Sequence, residues 1–465
     1  VKAVTLGDLK RLVGGLPGGD LLIAIERPPP AKDSALAIGI AGRGFGGDLT
    51  SDSTRLDGYV LSTDIAPTVL RRLGLGVPSE MSGQPIRSVG HVDAAAVESL
   101  GNRLAVIAQR RGPVIGLGLF VWLAILGVLI LIAKGRGARL GLRFLALTLV
   151  YLPLLLLVAA ALEPSQGAEQ LLAIAGPALL GVATLALLSG YRALAVASGL
   201  TVLAYAVDVI AGSPLTSLSL LGPNPGLGVR FYGIGNELEA LLGVLVVGGT
   251  GAALSGFAPR LPVRRAAYVF LAIGLPLTFV FAAGWFGADV GAAIVLPLGS
   301  AVAAAGIAAW RRRALLLAIA APFAAVALLA LIDLLSGANA HLTRTVLNAG
   351  GLNDLADVAQ RRLQLSAHSF SRPIVLVFMP LLIAAAVLAV ARRQRLSAWL
   401  RGSPAMRAGL LGALAATLVG TLANDSGALV LEIGGAYLLA FIGFAWAEGR
   451  EQREKLAGAA ADFRD

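Results

Sequence analysis

Long apolar runs broken by short polar loops fill the chain from about residue 114 to its end. Runs near 20 apolar residues match a hydrocarbon core about 30 Å thick, so the pattern predicts about eleven membrane-spanning helices. They fall near 114–133, 144–162, 170–189, 193–212, 233–256, 266–284, 288–309, 314–336, 373–391, 408–423 and 427–446. Residues 1–112 follow another pattern. Short apolar runs at 21–25 and 35–41, with 58–61 as a possible third, read as buried strands. Thr63 or Asp64 can then cap a short helix through Ala66, Val69, Leu70 and Leu73, closed by Gly74 and Gly76. The expected fold is mainly α: a polytopic helical domain over 113–465, preceded by a small α/β fragment over 1–112. Residues 93–111 predict a helix that either connects the two or lies on the membrane surface.

Loop charge gives an orientation. One set of loops, from Lys134 through Arg192, Arg260, Arg311 and Arg392 to the carboxy terminus, carries 20 basic residues; the opposite set carries 5. The positive-inside rule assigns the richer set to the cytoplasm, so residues 1–112 are expected outside and the carboxy terminus inside the cell membrane. The net charge of +11 is then mostly topology and attraction to anionic lipid, and no nucleic-acid partner is expected. Membrane lipids are the expected partners. The chain has no cysteine, which excludes disulfides and thiolate metal sites.

Ionisable groups in hydrocarbon are costly, so their positions are informative. Asp208, Glu237, Glu239, Asp289, Asp333, Asp425 and Glu432 fall in or beside spans, all toward the end expected to face outward. Such a bias suggests a hydrated cavity open to the outside. The plainer reading is that acids avoid ends already occupied by arginines.

The loop over 213–240 is rich in Gly and Pro and enters the membrane carrying Arg230, Tyr232, Asn236 and Glu237. Irregular backbone at that depth is tolerated where it is buried in protein or lines water. Its glycines would let a phosphate or sugar approach main-chain amides, with Arg230 as the cation, although glycines also simply make turns. Asp289 and the Asn424-Asp425-Ser426 turn either belong to the same site or cap helices. Glu432 sits more than one turn into its span and needs a partner or a proton. Loop 337–372 contains His341, Arg344, His368 and Arg372, with an amphipathic stretch at LNDLADVAQRRLQL. Those groups suit a diphosphate or another anionic headgroup, His341 serving as acid or base. A solvated loop touching lipid headgroups is the alternative. No Walker loop, HExxH, GxSxG or metal-spaced histidine pair occurs, so neither a metal nor a cofactor is assigned.

The run GRGFGGDLTSDSTRLDGYVLSTDIAPTVLRRLGLGVPSEMSGQPI resembles the closing segment of alkaline-phosphatase-superfamily domains. The resemblance rests on Thr63, Asp64, Ala66, Pro67, Thr68, Gly74, Leu75, Pro78, Gly83 and Ile86 and covers a small part of the chain. It implies two-metal phosphoryl or sulfuryl transfer in the family, but the matched residues are structural, and the nucleophile and most ligands would lie upstream of Val1. Asp48, Asp52, Asp57 and Asp64 read as turn and cap residues, and His91 falls beyond the match.

These readings combine into a bacterial cell-envelope protein handling a phosphate-bearing lipid or lipid-linked glycan, such as a polyprenyl-phosphate-linked substrate or a phospholipid, at the outer leaflet. Arg230, Arg344 and Arg372 would hold the anion, with Tyr232, Asn236, Glu237 and Asn424 contacting substrate. Asp289, Asp425 or Glu432 would take acid/base or metal roles, with His341 as a further acid or base. The rivals are a transporter or flippase with an ion-coupled cavity, and a scaffold in which these residues need not converge.

Overall fold

The computed structural model describes residues 4–26, 35–78, 81, 83–223, 231–309, 311–336 and 352–462. Helix makes up 72% and strand 5%, so the fold is mainly α. The chain divides into two compact units, Val1–Arg111 with Pro223–Tyr232, and Gly112–Gly222 with Gly233–Asp465. The described Phe231 and Tyr232 group with the first unit.

In the first unit, α1 (Leu6–Gly14) starts with a reciprocal cap. Asp8 N donates to Thr5 Oγ1 and Thr5 N donates to the Asp8 carboxylate. The Thr5 hydrogen bonds hold that carboxyl below its usual range. Strands β1 (Leu21–Ile25) and β2 (Ile38–Gly42) pair antiparallel, as do β3 (Asp48–Thr50) and β4 (Arg87–Val89). The result is two separate two-stranded ribbons in place of one α/β sheet. The apolar run 58–61 is no strand, because Gly58 turns the chain at φ 87° and Leu56 and Tyr59 form only an isolated bridge. Any side chain at Gly58 would reach within 2.7 Å of Val97 Cγ2.

Helix α2 (Ile65–Arg72) forms where predicted and ends at Gly74, φ 70°. Asp64 does not cap it with its side chain. Its carboxylate is fully buried and accepts from Ser51 Oγ and Ser53 Oγ, both at 2.6 Å, and from the main-chain N–H groups of Leu61 and Gln84. Thr68 Oγ1 donates to Asp64 O and accepts from Ile86 N, tying the following loop to the same helix. The Thr63-to-Thr68 motif is therefore a clasp for three loops. In this unit the Phe231 ring packs 5.0 Å from Tyr59, and the Arg55 guanidinium lies 3.7 Å above the Tyr232 ring. Burial pushes the Tyr59 phenol up from its usual value.

The second unit is a helical membrane domain, and the chain is a multi-pass membrane protein. Among the described residues, seven helices are long and apolar enough to cross a bilayer. Helix α3 (Ala94–Leu162) contains the first two expected spans as a hairpin broken at Lys134, φ 46° and ψ −123°, where Gly137 and Gly141 close against Leu129 and Leu126. Then follow α4 (Gln166–Leu187), α5 (Tyr191–Ile210), α6 (Asn236–Phe257), α7 (Val263–Ala282), α8 (Ala292–Ile307) and α9 (Arg311–Ser336). The predicted amphipathic stretch is α10 (Leu352–Ser369), followed by α11 (Pro373–Ala391), the short α12 (Arg393–Trp399), α13 (Pro404–Ala423) and α14 (Gly427–Asp462). Shorter apolar stretches in α8, α9 and α11 fall on the remaining expected spans.

Helix α6 forms the core. Residues 238–252 are buried without interruption, the pattern of a helix surrounded by other helices. Its glycines let those neighbours in. Gly243 faces Val295 of α8, Gly248 faces Phe441 of α14, Gly249 faces Ser198 of α5, and Gly251 lies against Ala405 and Gly409 of α13. A second small-residue contact joins Gly299 of α8 to Gly412 of α13.

Up-and-down connectivity gives this unit a basic end and an acidic end. At the basic end, Arg192 Nε donates to Gly256 O at 2.9 Å, and Arg143 pairs with both Glu448 and Glu451 of α14. Glu448 is 6% exposed. The expectation that membrane acids gather at one end alone is thus corrected: α14 continues past the expected apolar run, which ends at 446, and buries Glu448 beside Arg143.

Removal of the Asp64 carboxylate leaves buried donors without an acceptor, so Asp64→Ala is expected to destabilise the first unit by about 3 kcal/mol or more. Limited proteolysis of the full chain in micelles should show new cleavage in residues 4–111 while the membrane helices remain protected; an unchanged digestion pattern would refute the clasp.

Candidate functional site

The acidic end of the second unit brings together the starts of α6 and α8 and the end of α13. Glu239 is in the first turn of α6, where the helix dipole favours negative charge, and is 2% exposed. Asn424, the residue following α13, points its amide at this carboxylate, with Nδ2 at 3.0 and 2.9 Å from the two oxygens and 3.1 Å from Gly420 O. Gly291 closes the third side: a Cβ there would fall 2.0 Å from Glu239 Oε2. One turn back on α6, Asn236 Nδ2 donates to Asp425 Oδ1 at 2.7 Å. Two adjacent residues of the Asn424-Asp425 turn thus bond two residues of α6, one pair buried and one exposed.

Asp289 stands beside this group, 4% exposed, and accepts from Ala292 N at 2.9 Å, which caps α8. The preceding segment is tightly folded, with Gly287 N bonded to Val280 O, Asp289 N bonded to Phe281 O, and Ala288 held at φ 50°. Ile234 N donates to Gly287 O at 3.0 Å and Gly233 N to Ser213 Oγ at 2.9 Å, so three irregular segments support one another. Asp208 closes the first of them by accepting from Leu215 N and Thr216 N. Helix α10 meets the same end: Ser366 Oγ donates to Thr421 O, and Ala428 N donates to Ser369 Oγ.

Of the residues nominated from sequence, Asn236, Asp425 and Asn424 are in this network, with Asp289 at its edge. Glu237 is half-buried in the first turn of α6. Tyr232 belongs to the first unit, under Arg55. Arg372 is exposed at the start of α11. Arg230, His341 and Arg344 lie outside the described residues, as does the Asp333 side chain. Glu432 stands apart. Val430 and Gly434 of α14 face Gly420 and Thr417 of α13, so Glu432, two positions from each, points the other way, on the face that brings Gly435 against Leu382 of α11. Among the described residues its Oε1 is occluded and has no hydrogen-bond partner.

Glu239 was visible in the sequence as a membrane acid but was not nominated. Its position four residues before Gly243 puts it on a small-residue interior face, a signal that separates it from Glu237. The amide partner is invisible in sequence, since 185 positions separate Asn424 from Glu239.

In the first unit, Asp48, Asp57, His91 and Asp93 border a shallow cavity of about 240 Å³. Asp48 Oδ1 is engaged by Asp93 N at 3.1 Å. No group of three potential metal-ligating side chains occurs among the described residues. No protein-family model matches the chain, and no curated protein or solved structure is significantly similar to it.

Placing a methyl group against the Glu239 carboxylate must displace it. Gly291→Ala is expected to cost about 1–3 kcal/mol by overpacking, whereas Gly306→Ala in the same helix, with nothing within 4 Å of the added carbon, should be neutral or slightly stabilising. Thermal unfolding of both variants in detergent distinguishes them, and equal transitions would contradict the packing described.

Proposed function

We propose that this multi-pass protein handles a phosphate-bearing lipid or lipid-linked glycan at the acidic end of its membrane domain, and that this end faces out of a bacterial cell while the arginine-rich end faces the cytoplasm. The observation that carries the reading is the pair of side-chain bridges between α6 and the Asn424-Asp425 turn. They assemble amides and carboxylates from distant parts of the sequence at one end of the helices. Within this reading Asp425, exposed and oriented by Asn236, is the group able to meet substrate, and Asp289 is the second candidate for acid/base work. Glu239, buried and held by Asn424, is a positioning residue. Arg230, Arg344 and Arg372 would supply charge complementary to a phosphate. Tyr232, Glu237 and His341 remain candidates for contact with the headgroup. The first unit would be the closing part of an alkaline-phosphatase-like domain, with Asp64 as a structural clasp and no catalytic role.

One observation favours ion-coupled transport as a second reading. Glu432 keeps an occluded carboxylate oxygen inside a membrane helix with no hydrogen-bond partner among the described residues, the position of a group that exchanges a proton.

Asp425→Asn and Glu432→Gln separate the two readings. On the first, Asp425→Asn lowers turnover of envelope phosphoglycolipid by about a hundredfold at unchanged protein level, the scale of a lost acid/base group, and Glu432→Gln does not. Abolition of proton-coupled uptake by Glu432→Gln, with glycolipid turnover normal in Asp425→Asn membranes, would replace the first reading by the second.

A further inference from the structure

The basic end contains a groove that the proposed function does not use. Helices α13 and α14 leave a hollow of about 170 Å³ lined by Leu410, Leu411, Leu414, Leu438 and Ile442. Ser397 of α12 and Arg407 of α13 close its polar end. The apolar part lies within two membrane helices, so it opens to hydrocarbon and not to water. The polar part is at headgroup depth, marked by Trp399 and Trp446, whose rings pack edge to face at 6.2 Å, and by Arg450 6.0 Å from Trp446.

Arg407 is exposed and in the first turn of α13, where its charge adds to the positive end of the helix dipole. No side-chain hydrogen bond or ion pair occupies its guanidinium among the described residues. Arg395 and Arg401, also exposed, add positive charge on the same connection between α11 and α13. A hollow with greasy walls and a cationic rim at headgroup level matches a molecule with an acyl tail and a phosphate. We infer that this groove is a binding site for an anionic phospholipid, with an acyl chain along Leu411, Leu414, Leu438 and Ile442 and the phosphate at Arg407 and Ser397. The site is on the opposite end from the proposed substrate site and stands independently of it. Occupancy would fasten the short helix α12 to α13 and α14 and stabilise the basic end.

The test uses the full chain, delipidated in detergent, with phosphatidylglycerol and phosphatidylcholine of identical acyl chains as probes. Phosphatidylglycerol is expected to raise the unfolding temperature and to appear as a bound lipid in native mass spectra, with phosphatidylcholine much weaker in both. Arg407→Gln should weaken phosphatidylglycerol binding about fivefold, the scale of one cation at an anionic surface, and Leu411→Trp should fill the groove and remove the bound lipid. Arg264→Gln, an exposed cation at the same end but outside the groove, should change nothing. Equal stabilisation by the two lipids, or phosphatidylglycerol binding unaltered in Arg407→Gln, overturns the inference. Arg407 is exposed, so its variant folds and the result stands even if Leu411→Trp does not fold.

Discussion

Helix α6 is enclosed by protein on every side, and any polar group on it must be satisfied by its neighbours or sit at an end. Gly243, Gly248, Gly249 and Gly251 permit that enclosure by admitting four helices to close contact. The same closeness brings the start of α6 against the start of α8 and the end of α13. A carboxylate at position 239 therefore cannot turn to solvent, and the Asn424 amide and the bare Gly291 surface are its answer. The small-residue core and the polar cluster are one arrangement: the glycines set the distance at which the amide can reach the acid.

The two ends of the membrane unit solve opposite problems by different means. At the basic end a buried acid is neutralised directly by arginine, as Glu448 is by Arg143. At the acidic end Glu239 accepts from the Asn424 amide, Asp425 from the Asn236 amide, and Asp208 and Asp289 from main-chain N–H groups, hydrogen bonds that fix the orientation of each carboxylate. Asp208 and Asp289 serve their own loops in this way. Asp425 is different, because its partner Asn236 belongs to another helix and the pair is exposed. A carboxylate held exposed in fixed geometry can act on a ligand approaching with cations or protons.

Much of the architecture was legible in hydropathy. The starts and ends of α4 to α7 and α13, and the start of α14, fall within a few residues of the apolar runs, because in lipid the backbone must bond to itself and the apolar run is the helix. The helix after Asp64 and the amphipathic α10 were legible from cap and period. The strand expected at 58–61 failed because Gly58 must turn beside Val97, a tertiary constraint that no local pattern records. Burial of Glu448 was missed because α14 outruns its apolar segment. At the site, sequence indicated the acids but not their partners: it could group Asn424 with Asp425 by adjacency, yet could not show that one reaches Glu239 and the other Asn236. It also drew Glu432 toward the cluster, when helical phase turns that residue to the far side of α14.

The central claim is that Glu239 and Asn424 are directly coupled in the interior. A double-mutant cycle on Glu239→Gln and Asn424→Ala, read from unfolding in detergent, measures this without reference to any substrate. The account predicts that the double variant is less destabilised than the sum of the single variants, by at least about 1 kcal/mol. Additive effects within experimental error would mean that the two side chains do not hold one another, and the polar assembly at this end would lose its anchor.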